Sequence, residues 1–110
     1  MWKENYEYDD RENITYYTNS YYEEWYKYDK NNNKIYEKRI SVYESYEMWY
    51  KYDKYNRDVY FKANDGREEW FKYNKNGARI DITKQEFKQI ERTKLYLNNK
   101  KINRFELMDI

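Results

Sequence analysis

The chain has 110 residues, with 22 Lys and Arg against 21 Asp and Glu and a formal net charge of +1. It contains no Cys, His or Pro, which excludes disulfides, thiolate or imidazole metal sites and imidazole-based acid–base chemistry; no apolar run approaches membrane-spanning length. Ile, Leu, Val and Phe number only 17, but 17 Tyr and 4 Trp supply apolar area, each burying on the order of 150–250 Å², so a folded protein with a largely aromatic core is predicted.

This length predicts a single domain over 1–110. The start "MWKENYEYDD" is acidic and has no hydrophobic stretch, so a complete cytoplasmic reading frame without an export signal is expected. Charge is uneven along the chain. Residues 1–50 carry 7 basic and 11 acidic side chains, residues 51–110 carry 15 and 10, and residues 84–104 carry 7 and 2. An acidic half and a basic end can steer partners or favour head-to-tail pairing.

The pairs Tyr8-Asp9, Tyr28-Asp29, Tyr52-Asp53 and Tyr73-Asn74 lie 20, 24 and 21 residues apart, each followed by an aliphatic residue: Ile14, Ile35, Val59 and Ile80. Such spacing means one supersecondary unit copied in tandem. The first copy has Asn5 where the others have Trp, and the second carries extra residues around "KRISVYES". Period-two alternation makes the unit a β-hairpin. On one face the forward strands place Tyr22, Tyr26, Tyr28, Tyr46, Met48, Tyr50, Tyr52, Phe71 and Tyr73. The other face takes Trp25, Trp49 and Trp70 with their Glu and Lys neighbours.

Turn formers sit at "NNN", "YNR", "NDG" and "KNG". Two-residue loops at Asn32-Asn33, Asn56-Arg57 and Asn76-Gly77 predict the oppositions Tyr28 with Glu37, Tyr52 with Phe61, Tyr73 with Ile80 and Phe71 with Ile82. The Tyr face would then also gather Ile35, Val59, Phe61, Ala63, Ile80 and Ile82 and be buried. The Trp face would gather Tyr36, Lys38, Tyr60, Lys62 and Asp81 and be the water-exposed ladder.

After the sheet, "TKQEFKQIER" changes period. Thr83 and Glu86 read as a capping box, and Phe87 with Ile90 as a helical stripe expected to pack on the Tyr face. "KLYLNNKKINRFELM" alternates again around Asn98-Asn99, which suggests a final hairpin; a helix running on to Leu97 is the alternative. The predicted fold is mainly β (α+β): an antiparallel meander of tandem hairpins over 1–82, then a short helix and hairpin cap over 83–110.

"YDDRENITYYTNS", "YDKNNNKIYEK" and "YDKYNRDVYFKANDGREEWFKYNKNGARI" resemble the YD repeats of the Rhs family over roughly residues 6–82. The resemblance implies one hairpin per repeat. Large Rhs proteins wind many such hairpins into a toxin-enclosing shell; four copies, mostly without the usual turn glycine, cannot enclose anything, so that role does not transfer.

Few groups here could do chemistry. Asp29, Asn31 and Asn33 imitate the start of a calcium loop, but Lys34 stands where glycine is needed and Ile40 where glutamate is, so the stretch is a turn. Glu23-Glu24 and Glu68-Glu69 point to opposite faces of a strand and cannot act as a pair. No Ser or Thr has a histidine to activate it, and no glycine-rich phosphate loop occurs. A non-enzyme without cofactor or metal is expected.

The binding candidates are Trp25, Trp49 and Trp70 with Tyr36, Tyr60, Lys51 and Lys72. They form either a flat aromatic platform for a protein or a purely structural cross-strand ladder. For nucleic acid the candidates are Lys84, Lys88, Arg92, Lys94, Lys100, Lys101 and Arg104, which otherwise read as a solvated helix face. The expected function is a small protein-binding module that occludes a target surface. Its size and AT-rich codon flavour fit a phage- or mobile-element-encoded inhibitor, for example of a CRISPR effector, or an immunity protein. A nucleic-acid-binding accessory protein is the alternative. Self-pairing through sheet edges or faces is open, and no membrane is involved.

Overall fold

The computed structural model describes residues 4–108, with side chains as far as Asn99. The strands are β1 (Asn5–Tyr8), β2 (Ile14–Thr18), β3 (Tyr22–Tyr28), β4 (Lys34–Ser41), β5 (Ser45–Tyr52), β6 (Asp58–Ala63), β7 (Glu68–Tyr73) and β8 (Arg79–Ile82); α1 (Lys84–Met108) follows. The fold is mainly β: eight antiparallel strands in meander order, then one helix. The chain divides into two compact units, Met1–Glu69 and Trp70–Ile110.

In the first unit each Tyr-Asp copy is one hairpin, closed by the same five-residue loop. In the loop Asp29–Asn33, the Asp29 amide donates to the Asn33 carbonyl at 2.9 Å and the Asn32 amide to the Asp29 carbonyl at 3.1 Å. The Asp29 carboxylate accepts from the amides of Asn31 and Asn33, both at 2.9 Å. Asp9 and Asp53 do the same in their own loops. The fourth loop residue takes positive φ, at Glu12 (68°), Asn32 (66°) and Asn56 (65°). Asn tolerates that region through its short polar side chain; Glu does so less readily.

This loop is longer than the two-residue turns predicted from sequence, and the register differs accordingly. Tyr26, not Tyr28, opposes Glu37, and Tyr50, not Tyr52, opposes Phe61. Both slips are by two residues, so the side chains keep their expected faces. A bulge after each loop completes the pattern, skipping Thr15, Ile35 and Val59.

Successive hairpins are tied by side chains as well as by the ladder. The Tyr28 hydroxyl donates to the Ile14 carbonyl at 2.9 Å, and the Tyr52 hydroxyl to the Lys34 carbonyl at 2.7 Å. The Asn13 amide donates to Asn32 Oδ1 at 2.9 Å, and the Asn33 amide to Asn56 Oδ1 at 2.8 Å. Tyr and Asp thus recur for two reasons: Asp shapes its own loop, and Tyr clamps that hairpin to the one before.

The expected division into a buried Tyr face and an exposed Trp face is corrected by the structure. Tyr17, Tyr22, Tyr26, Tyr46 and Tyr50 are half-buried, and so are Tyr16, Trp25, Tyr36 and Trp49 on the other side. Of the first unit's described residues only Ala63 and Glu24 are buried. Each face is shielded by its own long side chains. On the Tyr face the Arg39 guanidinium holds the Glu24 carboxylate at 2.8 and 3.1 Å while lying 4.3 Å from the Tyr22 ring centre. The Tyr50 hydroxyl donates to Glu37 at 2.5 Å, and Lys34 lies 3.2 Å from the same carboxylate.

In the second unit the loop Asn74–Ala78 repeats the bonding, with Gly77 at φ 83°. Asn76-Gly77 therefore fills the third and fourth loop positions instead of forming the two-residue turn expected. The three bulged hairpins return a side chain from the fifth loop position to the Asp, from Asn13, Asn33 and Arg57. Here Ala78 stands at that position and no bulge follows, so Tyr73 opposes Arg79, Lys72 opposes Ile80, Phe71 opposes Asp81 and Trp70 opposes Ile82. The predicted pairs of Tyr73 with Ile80 and Phe71 with Ile82 are overturned. Ile80 and Ile82 change sides to join Trp70 and Lys72, while Asp81 moves to the side of buried Phe71. Arg79 covers Phe71, 4.1 Å from its ring centre.

Helix α1 starts as predicted: the Thr83 hydroxyl oxygen accepts from the Glu86 amide at 3.1 Å. The Glu86 carboxylate, expected to reach back in a capping box, lies instead 3.7 Å from Lys72 Nζ. The helix therefore lies on the Lys72 side of its sheet, the side Ile80 and Ile82 have joined, and not on the Phe71–Tyr73 side expected. It runs 25 residues, continuous through Asn98-Asn99, so both the short helix and the final hairpin are corrected. No Gly or Pro interrupts residues 84–108, and neither Asn needs to leave the helical region.

Candidate functional site

The Trp face is a repeated contact set. Tyr16 on β2 opposes Trp25 on β3 with ring centres 5.4 Å apart and planes at 55°; Tyr36 on β4 opposes Trp49 on β5 at 5.7 Å and 55°. Each tyrosine hydroxyl donates to the glutamate two residues before that Trp: Tyr16 to Glu23 and Tyr36 to Glu47, both at 2.6 Å. Tyr60 donates likewise to Glu68 at 2.7 Å. Cations close the set from above. Lys38 lies 5.7 Å from the Trp25 ring, Lys62 5.8 Å from Trp49, and Lys27 and Lys51 each 5.2 Å from Tyr36 and Tyr60.

Burial and the Glu47 carboxylate push the Tyr36 hydroxyl up to about 12, and burial with Glu68 does the same for Tyr60. The Glu23 carboxylate, with burial, raises Tyr16. All three remain proton donors at neutral pH and are occupied as such. Trp25, Trp49, Tyr36, Tyr60 and Lys51 are thus assembled as one ladder whose polar and π contacts lie within the chain. Trp70 and Lys72 belong to the second unit. There Trp70 is half-buried opposite Ile82, and Lys72 faces Glu86.

The basic candidates divide along α1. Lys94 lies 3.6 Å from Glu91 and lines a shallow groove with Lys72, Glu86, Gln89, Ile90 and Thr93. Lys84, Lys88 and Arg92 follow one another at four-residue spacing, with Leu95 completing the same stripe. Lys100, Lys101 and Arg104 fall outside the described side chains. Among the described residues no three acidic groups converge on a cation site.

A patch that the sequence reasoning passed over lies where the β2–β3 and β4–β5 loops meet, at the opposite ends of the strands from the Asp loops. Val42 is 87% exposed, Tyr43 95%, Tyr21 68% and Ile40 41%. Both loops are pinned. Asn19 Oδ1 accepts from the amides of Tyr21 and Tyr22 at 2.8 and 3.0 Å. Ser41 Oγ accepts from the amides of Tyr43 and Glu44 at 3.3 and 3.0 Å and donates to the Glu44 carbonyl at 2.8 Å. Grooves flank the tip, one lined by Thr18–Glu23 with Ile40–Val42, the other by Tyr21, Tyr22, Arg39 and Tyr43. The surface is rich in Tyr, Ser and Asn on a rigid frame, as in loops that bind proteins. The signal was visible: the extra residues of "KRISVYES" encode this tip.

No protein-family model matches the chain, and no curated protein matches it. No helix among the described residues is long and apolar enough to cross a membrane.

Proposed function

We propose that this protein is a small binding module that acts by covering a functional surface of another protein and performs no chemistry of its own. The observation that carries the reading is the Val42–Tyr43 tip: two large side chains held in solvent by a hydrogen-bonded loop, with Tyr21 and Ile40 alongside. Isolated exposed apolar residues are ordinary, but a pinned cluster of four is the form of an interaction hot spot. The Trp ladder is the frame that holds the tip and not the contact surface. An inhibitor or immunity protein, of the kind encoded by phages and mobile elements, is the biological role that fits such a module, a CRISPR effector being one such target. We place the module in the cytoplasm.

Affinity capture from host lysate, with and without nuclease, tests this. Wild type is expected to retain one protein at near-equal amount after nuclease, and Val42→Ser with Tyr43→Ala to lose it while remaining folded. Retention by that variant, with loss by folded Trp25→Ala, would return the binding surface to the Trp face.

A second reading, nucleic-acid binding along α1, is favoured by the cationic stripe of Lys84, Lys88 and Arg92. It requires a capture signal that disappears with nuclease and an affinity that falls steeply with salt.

A further inference from the structure

Nearly every tyrosine on the two faces of the first unit has a cation over its ring or a bond from its hydroxyl. Lys34 covers Tyr26 and Tyr50, Arg39 covers Tyr22 and Tyr46, and Tyr28 and Tyr52 give their hydroxyls to main-chain carbonyls. Tyr6, hydrogen-bonded to Tyr17 with ring centres 4.8 Å apart, and Tyr8, both on β1, have no cation over their rings among the described residues. They stack on each other with ring centres 6.1 Å apart, and they are 45% and 58% exposed. Glu4 precedes the strand and Glu7 lies between the two tyrosines on its opposite face, and all four residues of β1 are exposed. On its outer side β1 pairs with no other described strand. Among the described residues this surface therefore has no cation of the kind that the inner copies supply to their own aromatic rings.

The missing cations are present on α1. Lys84, Lys88, Arg92 and Leu95 share one face, away from the groove face of Glu86, Ile90 and Thr93. The helix's described acids are taken up elsewhere, Glu86 by Lys72 and Glu91 by Lys94. Leu95 is 64% exposed. From Lys84 to Leu95 the stripe is roughly 17 Å long at the helical rise, and Glu4 to Tyr8 spans roughly 13–17 Å of strand. The two surfaces match in length, are opposite in charge, and pair guanidinium and ammonium groups with open aromatic rings.

We propose that the Lys84–Leu95 stripe of α1 receives the acidic, tyrosine-bearing β1 strand of a second copy, so that copies associate head to tail. The contact is heterologous: each copy offers one surface of each kind, and association extends beyond a dimer unless the rotation closes a ring. This inference is independent of the partner-binding reading, because it uses neither the Val42–Tyr43 tip nor the Trp ladder.

Sedimentation velocity on nuclease-treated full-length protein, over a range of concentrations and at low and high salt, tests it. Wild type is expected to sediment faster as concentration rises, with association weakened roughly tenfold by high salt. Lys88→Glu with Arg92→Glu, and separately Glu4→Lys with Glu7→Lys, should each abolish self-association. An equimolar mixture of the two variants should restore it, since each reversed surface then meets its complement. Restoration also shows that both variants are folded. A concentration-independent wild type, association indifferent to salt, or a mixture that stays dissociated would each overturn the proposal.

Discussion

The hydroxyl of Tyr52 donates to the main-chain carbonyl of Lys34 at 2.7 Å, one hairpin reaching back to clamp the hairpin before it. Tyr28 repeats the bond on Ile14, so the relationship belongs to the repeat and not to a single site. Tyr52→Phe keeps the ring and removes the clamp. It should destabilise the protein by about 1 kcal/mol, the usual net worth of one such bond, read as a lower urea midpoint at unchanged slope.

A larger loss is expected at the buried carboxylate. Glu24 is 8% exposed and held by two bonds from Arg39. Glu24→Ala leaves the guanidinium half-buried over the Tyr22 ring without its counter-ion and should cost about 2 kcal/mol. Chemical denaturation of Glu24→Ala, Arg39→Ala and the double variant measures the coupling. The double variant should lose clearly less than the sum of the singles.

The Asp loops give the fold an acid limit. Bonds from the Asn13 and Arg11 amides hold the Asp9 carboxyl below the usual carboxylate range. At Asp29 and Asp53 burial pulls upward, and the loop amides together more than offset it, so both are lowered as well. A carboxyl whose pKa is lower folded than unfolded contributes stability above the unfolded value, and that stability is lost as pH falls through the folded value. Urea midpoints should therefore be flat near neutrality and fall below about pH 4. Asp29→Asn with Asp53→Asn should keep the loops, as Asn74 does in its own hairpin, and lessen the acid sensitivity.

Asn98 and Asn99 sit within α1. Replacing both by Ala should raise helical circular dichroism and stabilise the helix by up to about 1 kcal/mol. Lower helicity in that variant would contradict a helix running through these positions.

The period-two pattern revealed strands β3 to β8 and placed the faces of β3 to β6 correctly, because errors of two residues leave a face unchanged. For β8 the error was a single residue, and it reversed Ile80 and Ile82. Asn76-Gly77 looked like a complete two-residue turn, whereas the Asn74 side chain, bonded to the amides of Asn76 and Ala78, sets a longer loop. A composition rich in aromatic area does not tell how that area divides between the two sides of a sheet; here the rings on both sides of the first unit are half-buried. The Trp candidates were conspicuous because they repeat, and the repeat places Trp25 and Trp49 in the same cross-strand contact with Tyr16 and Tyr36. Val42 and Tyr43 were written in the one stretch that breaks the repeat, and the frame gives them no partner to pack on.

The central claim is that the Trp ladder holds the sheet together while the Val42–Tyr43 tip is free of it, and parallel thermal and urea unfolding of Trp49→Ala and Tyr43→Ala tests it most directly. Trp49→Ala removes a half-buried ring between Tyr36 and Lys62 and should cost about 2 kcal/mol, less than a fully buried Trp. Tyr43→Ala should lie within about 0.5 kcal/mol of wild type. A stable Trp49→Ala, or a Tyr43→Ala that unfolds early, would contradict the assignment and exchange the roles of the two surfaces.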